Sequence, residues 1–263
     1  MNNTSNVTNT HNGHKFVDLG LPSGLLWATC NVGATSPEQT GLYFAFGKTI
    51  GFTAEQVEKG KHLFDFGSNN ASTISGNLPL EQDAAHTYMG GKWRMPTCDE
   101  FQELIDNCRW GWMDDYNGTG VAGYIFASKT NSNNIFLPAA GYANCGEVCN
   151  FGVTGNYRSA TAVNFFISFI LSFLDGYLYN CCGDRSYGQP VRGVWEKESS
   201  KDKIDQVVDM TRVIDVLTDV AKEYSGKTIE NIIVQMKSRV VELRKQWIKT
   251  VSGNLKSQQI WKE

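Results

Sequence analysis

The sequence predicts an α+β domain with short strands and few helices, followed by a C-terminal α-helical hairpin. Between residues 14 and 196, short apolar runs are broken by glycines and other turn signals, which is typical of short strands and loops. Within this part, PTCDEFQELIDNC has a capped helical pattern, and beyond Trp195 the chain changes to two long amphipathic stretches. These observations divide the chain into a turn-rich domain and a helical tail.

The segment PTCDEFQELIDNC predicts one well-defined helix. Thr97 is placed as its N-cap, and Glu100 three residues later completes a capping box. Apolar residues then recur at helical spacing and predict its buried face: Phe101, Leu104, Ile105 and Cys108.

The tail begins with a polar linker at residues 197–201 and continues as a predicted helical hairpin over residues 202–263. Its two apolar stripes are Ile204, Val207, Thr211, Ile214, Thr218 and Ala221, and then Ile229, Ile232, Met236, Val240, Leu243 and Trp247. A helical hairpin of this size has little core of its own, so we expect it to self-associate or to dock on a partner.

Composition and charge exclude several classes of protein. The 263 residues are 41% hydrophobic and 12% aromatic with 26 glycines, which suits a folded globular chain. The formal net charge of −3 offers no basic field for phosphate backbones, so we expect no nucleic-acid binding. The start, MNNTSNVTNTHNGHK, has neither the basic residues nor the apolar core of a secretory signal. We expect no signal peptide and a disordered segment at residues 1–13.

The sequence gives no pattern for catalysis, a cofactor or a metal. The cysteines have no CxxC spacing, and in a chain without a secretory signal they are expected to be reduced thiols. Cys145 and Cys149 lie four residues apart without a nearby histidine, which is a weak metal motif. None of the four histidines lies in a recognisable catalytic motif, although a triad assembled from distant residues stays open.

The stretch VNFFISFILSFLDGYLYNCC, from Val163 to Cys182, is unusually apolar. Its uninterrupted part, from Ala162 to Leu174, is shorter than the ~20 residues that a membrane-spanning helix needs. We therefore expect no membrane span. Phe and Ile favour strands, and Asp175-Gly176 is a strong hairpin-turn signal, so the plain interpretation is a buried core strand.

Four motifs occur in an order that resembles a known family: HKFVDLGLPSGLLWATCNVGA with GLYFAFG (14–34 and 41–47), KWRMPTCDEFQELIDNC (92–108), IFLPAAGY (135–142) and YGQPVRGV (187–194). The chain resembles the Bacteroidetes-type and phage variable proteins that are diversified by retroelements. That resemblance implies a C-type-lectin-like ligand-binding domain of the formylglycine-generating-enzyme subtype over residues 14–196. It implies no enzyme activity, because the chain lacks a match to the cysteine-based active site of those enzymes.

In that family, variation concentrates between two anchor motifs, which here are YRSAT (157–161) and GQPVR (188–192) and depart from the family pattern at Arg158, Ala160 and Pro190. Such retroelements mutate adenines of Asn codons, and substitution at the first two codon positions never produces Lys, Glu, Gln, Met or Trp. Residues 163–184 contain none of these five residue types, whereas the rest of the chain uses all of them. The composition of the stretch thus agrees with the resemblance.

Strand alternation then separates core from surface in the predicted variable segment. The family pattern places Leu171 and Phe173 toward the core, with Leu178 also inward after the turn, and we expect residues 180–184 to form an exposed loop. The resulting predicted ligand-binding residues are Asn164, Phe165, Phe166, Ile167, Ile170, Ser172, Leu174, Tyr177, Tyr179, Asn180, Cys181, Cys182, Gly183 and Asp184.

The leading hypothesis is a non-enzymatic binding protein whose diversified face at residues 164–184 binds a macromolecular target. An exposed apolar patch with tyrosines favours a protein target. Gln189-Pro190-Val191 lacks the ligand residue of calcium-dependent lectins, which disfavours that kind of sugar binding.

Three alternatives stay open. One is a phage tail or receptor-binding component, so the expected location is cytoplasmic or virion-associated. Another is an oxidoreductase of the formylglycine-generating type, and the last is a structural protein in which the apolar stretch is entirely core.

Overall fold

The computed structural model describes residues 9–60 and 74–197, together with isolated helical positions between 214 and 242. Of the described residues, 41% lie in strands and 21% in helices. The domain is therefore mostly β, and the prediction of an α+β fold is wrong. The short runs between turn signals are too short for stable helices, and they pair instead as antiparallel strands.

The chain divides into two compact units, Met1–Lys197 and Glu198–Glu263. The predicted helical hairpin at residues 202–263 lies largely outside the described residues. The positions described there are helical, and Ile214 and Ile233 are buried, but they do not define a hairpin.

The strands of the first unit are β1 (Thr10–His11), β2 (His14–Asp18), β3 (Leu25–Asn31), β4 (Tyr43–Phe44), β5 (Cys108–Met113), β6 (Gly123–Ser128), β7 (Asn134–Pro138), β8 (Tyr142–Asn144), β9 (Glu147–Cys149), β10 (Thr154–Ala162), β11 (Ile167–Leu174), β12 (Tyr177–Asp184), β13 (Gln189–Pro190) and β14 (Arg192–Glu196). They form antiparallel sheets in the orders β1-β2-β3-β14, β5-β6-β7, β10-β11-β12, β13-β4 and β8-β9.

The first sheet joins the two ends of the described domain, because β14 pairs with β3. Residues 9–13 belong to this sheet as a short arm in which Thr10 pairs with Lys15. The prediction of disorder for residues 1–13 is therefore wrong for residues 9–13, while residues 1–8 lie outside the described residues. Asn12 and Gly13 form the turn of this arm, both with positive φ, and this turn chemistry gives the polar segment a defined structure.

Three short α-helices are present in the described part of the first unit: α1 (Ala54–Lys59), α2 (Ala84–Met89) and α3 (Cys98–Asn107). The helix predicted after Thr97 is confirmed as α3. The Thr97 side chain accepts a hydrogen bond from the Glu100 N–H at 3.3 Å, and the Glu100 carboxylate accepts one from the Thr97 N–H at 2.8 Å. Phe101 and Leu104 are fully buried, as the spacing predicts.

Helix α3 packs against the sheet β10-β11-β12, and the main core lies between them. This core contains Trp27, Phe101, Tyr157, Leu171 and Phe173. Its position means that one face of the β11-β12 hairpin is built into the domain.

Three of the four sequence motifs, those at 14–34, 135–142 and 187–194, meet at Arg192, which is completely buried. Its guanidinium donates to the Asn31 side-chain oxygen at 2.9 Å and to the backbone oxygens of Ala28, Thr29 and Phe136 at 3.0, 2.7 and 2.8 Å. One side chain thus joins β14, the β3 region and β7 by charge-assisted hydrogen bonds.

Candidate binding surface

The apolar stretch forms two strands of one sheet. In β11 and β12 the register is continuous from the Ile167–Asp184 pair to the Leu174–Tyr177 pair. The turn between them is Asp175-Gly176, as predicted, and Gly176 has a φ of 77°, which a glycine adopts without strain. The chain therefore displays residues 167–184 on a regular hairpin.

The predicted core positions are confirmed. Leu171 and Phe173 are fully buried and face Tyr157 of β10, and Leu178 packs against the same core. Strand alternation places these side chains on one face of the sheet.

The other face is exposed near the hairpin turn. Tyr177 and Tyr179 are 61% and 42% exposed, and the half-buried Ser172 and Leu174 lie opposite them on β11. We call these residues the tip patch. The Ser172 hydroxyl donates a hydrogen bond to the Asn156 side chain of β10 at 3.1 Å. This bond holds the Ser172 side chain on the side of the patch next to β10.

A second exposed group lies at the opposite end of the hairpin, in the loop between β10 and β11. Phe165 and Phe166 are 54% and 69% exposed, and their rings pack edge to face at 5.0 Å. Together with Asn164 they form what we call the loop patch. At ~3.3 Å per residue, the two patches are about 23 Å apart along the strands.

The loop patch has a defined backbone. The Asn164 side-chain oxygen accepts hydrogen bonds from the N–H groups of Phe166 and Ile167 at 2.9 and 3.0 Å. The Phe166 carbonyl in turn accepts one from the Arg185 N–H at 2.9 Å. Asn164, predicted to contact a ligand, thus also holds the turn that displays the two phenylalanines, and the predicted Ile167 is half-buried at its end.

Ile170 does not lie on the exposed surface. It is 5% exposed, so the prediction that it faces outward is wrong. Its cross-strand neighbour Arg158 is completely buried, and this end of the sheet is covered on both faces. Gly183 is also confined, because a Cβ there would lie 3.1 Å from Ile170 and 3.2 Å from Gln189.

The predicted loop at residues 180–184 is part of strand β12, so that prediction is wrong as well. Cross-strand pairing with β11 extends along its whole length, because nothing interrupts the register. Asn180 is half-buried and donates to the Cys98 carbonyl at 2.8 Å, which ties β12 to the first turn of α3.

The remaining predicted residues differ in exposure. Cys181 is half-buried, and burial raises the pKa of its thiol. Cys182 and Asp184 are exposed, and the Asp184 carboxylate accepts a hydrogen bond from the Ser186 N–H at 2.7 Å.

The buried side chain of Arg158 stabilises the exposed segment through hydrogen bonds, a role that the sequence did not reveal. It donates to the Ser168 hydroxyl at 2.7 Å, to the Asp184 carbonyl at 3.2 Å and to the Tyr187 carbonyl. It thereby connects β10, β11 and the end of β12. Burial lowers the pKa of the guanidinium. The available signal was a charged residue in the otherwise small and polar run YRSAT.

The residues with potential for other chemistry are dispersed. All seven cysteines are free thiols. Within residues 9–60, 74–197 and the described tail positions, no three His, Cys, Asp or Glu side chains cluster as metal ligands would.

Comparison of the chain with protein-family models, curated proteins and solved structures found no match. Among the helices of the described residues, none has both the length and the apolar composition required to cross a membrane.

Proposed function

We propose that this chain is a non-enzymatic binding protein whose hairpin at residues 164–184 presents a diversified surface to a protein target. The observation that carries the proposal is the exposure of four aromatic side chains in this one segment: Phe165, Phe166, Tyr177 and Tyr179. Exposed aromatic side chains are typical of protein-binding surfaces, where a few of them supply much of the binding energy.

The scaffold under these residues is suited to binding. Leu171 and Phe173 fix the hairpin on the core, and the side chain of Asn164 fixes the loop. A surface whose backbone is already ordered loses little conformational entropy on binding, so more of the contact energy contributes to affinity. Tyr and Phe add large contact area at a low cost in side-chain entropy.

Composition supports the diversified origin of the segment. Residues 163–184 lack every residue type that mutated Asn codons cannot produce. Packing alone accounts for the apolar residues at the buried positions, but it gives no reason for phenylalanine at the exposed positions 165 and 166.

Deep sequencing of the gene across a population of cells or phages tests the proposal. We expect codons for the tip and loop patches to vary at adenine-templated positions, while those for Leu171, Phe173 and Leu178 stay fixed. The matched control is a set of equally exposed apolar residues outside the segment: Ile50, Phe151 and Val153. A uniform segment, or one that varies no more than the control set, would overturn the proposal.

A further inference from the structure

The outer edge of β12 is an open edge of a sheet. Among the strands of the described residues, the order is β10-β11-β12, and β12 has a partner on one side only. The Arg185 N–H donates to the Phe166 carbonyl just beyond the strand, and antiparallel bonds involve alternate residues. It follows that Tyr177, Tyr179, Cys181 and Gly183 bond to β11, whereas the backbone groups of the residues between them point away from the sheet.

These outward groups belong to Leu178, Asn180 and Cys182. No other described residue forms a backbone or side-chain hydrogen bond with the main chain of Leu178 or Asn180 on this side. The edge closes only at Asp184, whose carbonyl accepts from Arg158 at 3.2 Å. The open part therefore runs along most of the strand.

β12 lacks several of the features by which proteins prevent pairing at an edge. It spans Tyr177–Asp184 without a proline, a lysine or a bulge. Such an edge is a template for another extended chain, because it offers unpaired donors and acceptors at regular spacing.

The charges beside the edge distinguish between possible occupants. Asp175 and Asp184 are exposed at the two ends of β12, and residues 163–184 contain no Lys or Arg. If two copies of the chain paired antiparallel about Asn180, Asp184 of each would lie opposite Gly176 of the other, and Asp175 would lie opposite Arg185, whose side chain is buried. That dimer would not place an exposed cation beside either carboxylate, whereas a segment with basic residues at its ends would be attracted to both.

We propose that β12 binds an extended segment of the protein target by backbone pairing, with basic target residues beside Asp175 and Asp184 and apolar ones beside Tyr177 and Tyr179. This inference rests on the proposed function and specifies how the surface contacts its target. Backbone hydrogen bonds do not depend on side-chain identity, so this part of the affinity would persist while the side chains of the segment change.

The test uses a displayed library of random peptides flanked by lysines, selected on the full-length protein. Peptides are then measured on Cys182→Pro, which removes an outward N–H, and on the matched Cys182→Ala, which keeps it. Edge strands tolerate proline where the N–H points to solvent. We expect binding to Cys182→Pro to be at least about tenfold weaker than to Cys182→Ala. Proline removes one hydrogen bond to the peptide and disturbs the alignment of the peptide with β12.

N-methylation of the selected peptide provides a test that does not depend on the folding of a variant. Methyl groups on one alternate set of amides should weaken binding at least about tenfold, while those on the other set leave it unchanged, because alternate N–H groups face β12. Equal effects of the two sets, equal binding to the two Cys182 variants, or no selected peptide would overturn edge pairing. Binding that is insensitive to the edge yet lost on Phe166→Ala or Tyr179→Ala would leave the proposed function standing, and population sequencing tests that function independently.

Discussion

Asn164 shows how one polar side chain organises two exposed phenylalanines. An Asn side chain that accepts hydrogen bonds from backbone N–H groups two and three residues ahead imitates a backbone turn, and here those groups belong to Phe166 and Ile167. The aromatic rings are exposed while the chain that carries them is held. In a diversified segment, such a position would accept only residues that can supply the same acceptor.

We predict that Asn164→Ala disorders the loop patch at a cost of about 1 kcal/mol, because two backbone N–H groups lose their acceptor. Hydrogen exchange of the Phe166 and Ile167 amides should accelerate. Asn164→Asp is the matched control, since its carboxylate oxygen can accept the same bonds. Equal exchange rates in the Ala and Asp variants would contradict this role.

Arg158 presents the opposite case, a charged side chain with no solvent exposure. Its hydrogen bonds among the described residues go to the Ser168 hydroxyl and to backbone carbonyls, and the charge of the nearby Asp184 carboxylate also favours the guanidinium. Such a group is stable only while these acceptors stay in place, so it restrains the strands that carry them. Ile170 is buried because it lies against this restrained region.

At the scale of elements, β10 and β11 approach closely at Gly155. This glycine pairs with Phe173, whose ring occupies the space that a Cβ at position 155 would need. The absence of a side chain in β10 thus makes room for a core residue of β11.

We predict that Gly155→Ala lowers the free energy of unfolding by about 3 kcal/mol, because the methyl group displaces the buried Phe173 ring. Urea denaturation followed by tryptophan fluorescence measures the effect. Gly111→Ala is the control, since a Cβ at this strand glycine has nothing within 4 Å, and it should change stability by less than about 0.5 kcal/mol. Similar losses in both variants would point to a general cost of a side chain in these strands rather than to the Phe173 ring, since backbone entropy alone favours alanine.

The arm formed by β1 and β2 is held by a histidine. The ring of His11 stacks on Trp195 with 4.1 Å between centroids, and its Nε2 accepts a hydrogen bond from the Lys92 N–H at 3.1 Å. Burial, and then the charge of Lys92, lower the pKa of His11. His14 lies against the same aromatic group, at 6.3 Å from Trp93.

We predict that the contribution of His11 to stability is present above its unfolded pKa of about 6.5 and is lost as the pH falls through its lower folded value. The sign follows because the unfolded chain binds this proton more tightly than the folded protein does. Urea unfolding of the wild type and of His11→Phe, at pH 8 and pH 5, measures the effect. The difference between the two proteins should be smaller at pH 5, and a constant difference would contradict the prediction.

The elements that could be predicted from the sequence are those with strong local signals. The capping box at Thr97 identified α3, and Asp175-Gly176 identified the turn of the hairpin. An equivalent capping box at Thr53 and Gln56 starts α1, and it could have been found in the same way. The short paired strands of two or three residues could not, because their existence depends on partners distant in sequence.

The candidate surface was predictable to a similar extent. Alternation placed Leu171, Phe173 and Leu178 inward, but it placed Ile170 outward. That error arose because alternation assigns a residue to a face of the sheet and does not reveal what covers the face. Only the three-dimensional position of Arg158 shows that one end of the sheet is buried on both sides.

At the scale of the whole molecule, a few buried polar contacts join distant parts of the described domain. Arg192 links three distant parts of the chain, and Arg94 and Val194 exchange backbone hydrogen bonds of 3.0 and 2.8 Å between two of the sequence motifs. These contacts leave the tip and loop patches uninvolved. The fold should therefore be insensitive to which side chains replace the four exposed aromatic ones, at positions 165, 166, 177 and 179.

This independence leads to a prediction for the combined variant Phe165→Ser, Phe166→Ser, Tyr177→Ser and Tyr179→Ser. Its free energy of unfolding should lie within about 1 kcal/mol of the wild type, because the replaced rings are exposed and make few core contacts. Leu171→Ser is the control, and it should cost about 4 kcal/mol or more, because it leaves a cavity and buries a hydroxyl. Serine is one of the residues that mutated Asn codons can encode, so both variants lie within the range of the proposed diversification.

If the combined variant loses as much stability as Leu171→Ser, the aromatic residues support the fold, and the stretch is a core element rather than a binding surface. If only Leu171→Ser is destabilised, the same segment contains a fixed half that stabilises the fold and a free half that is available to a partner.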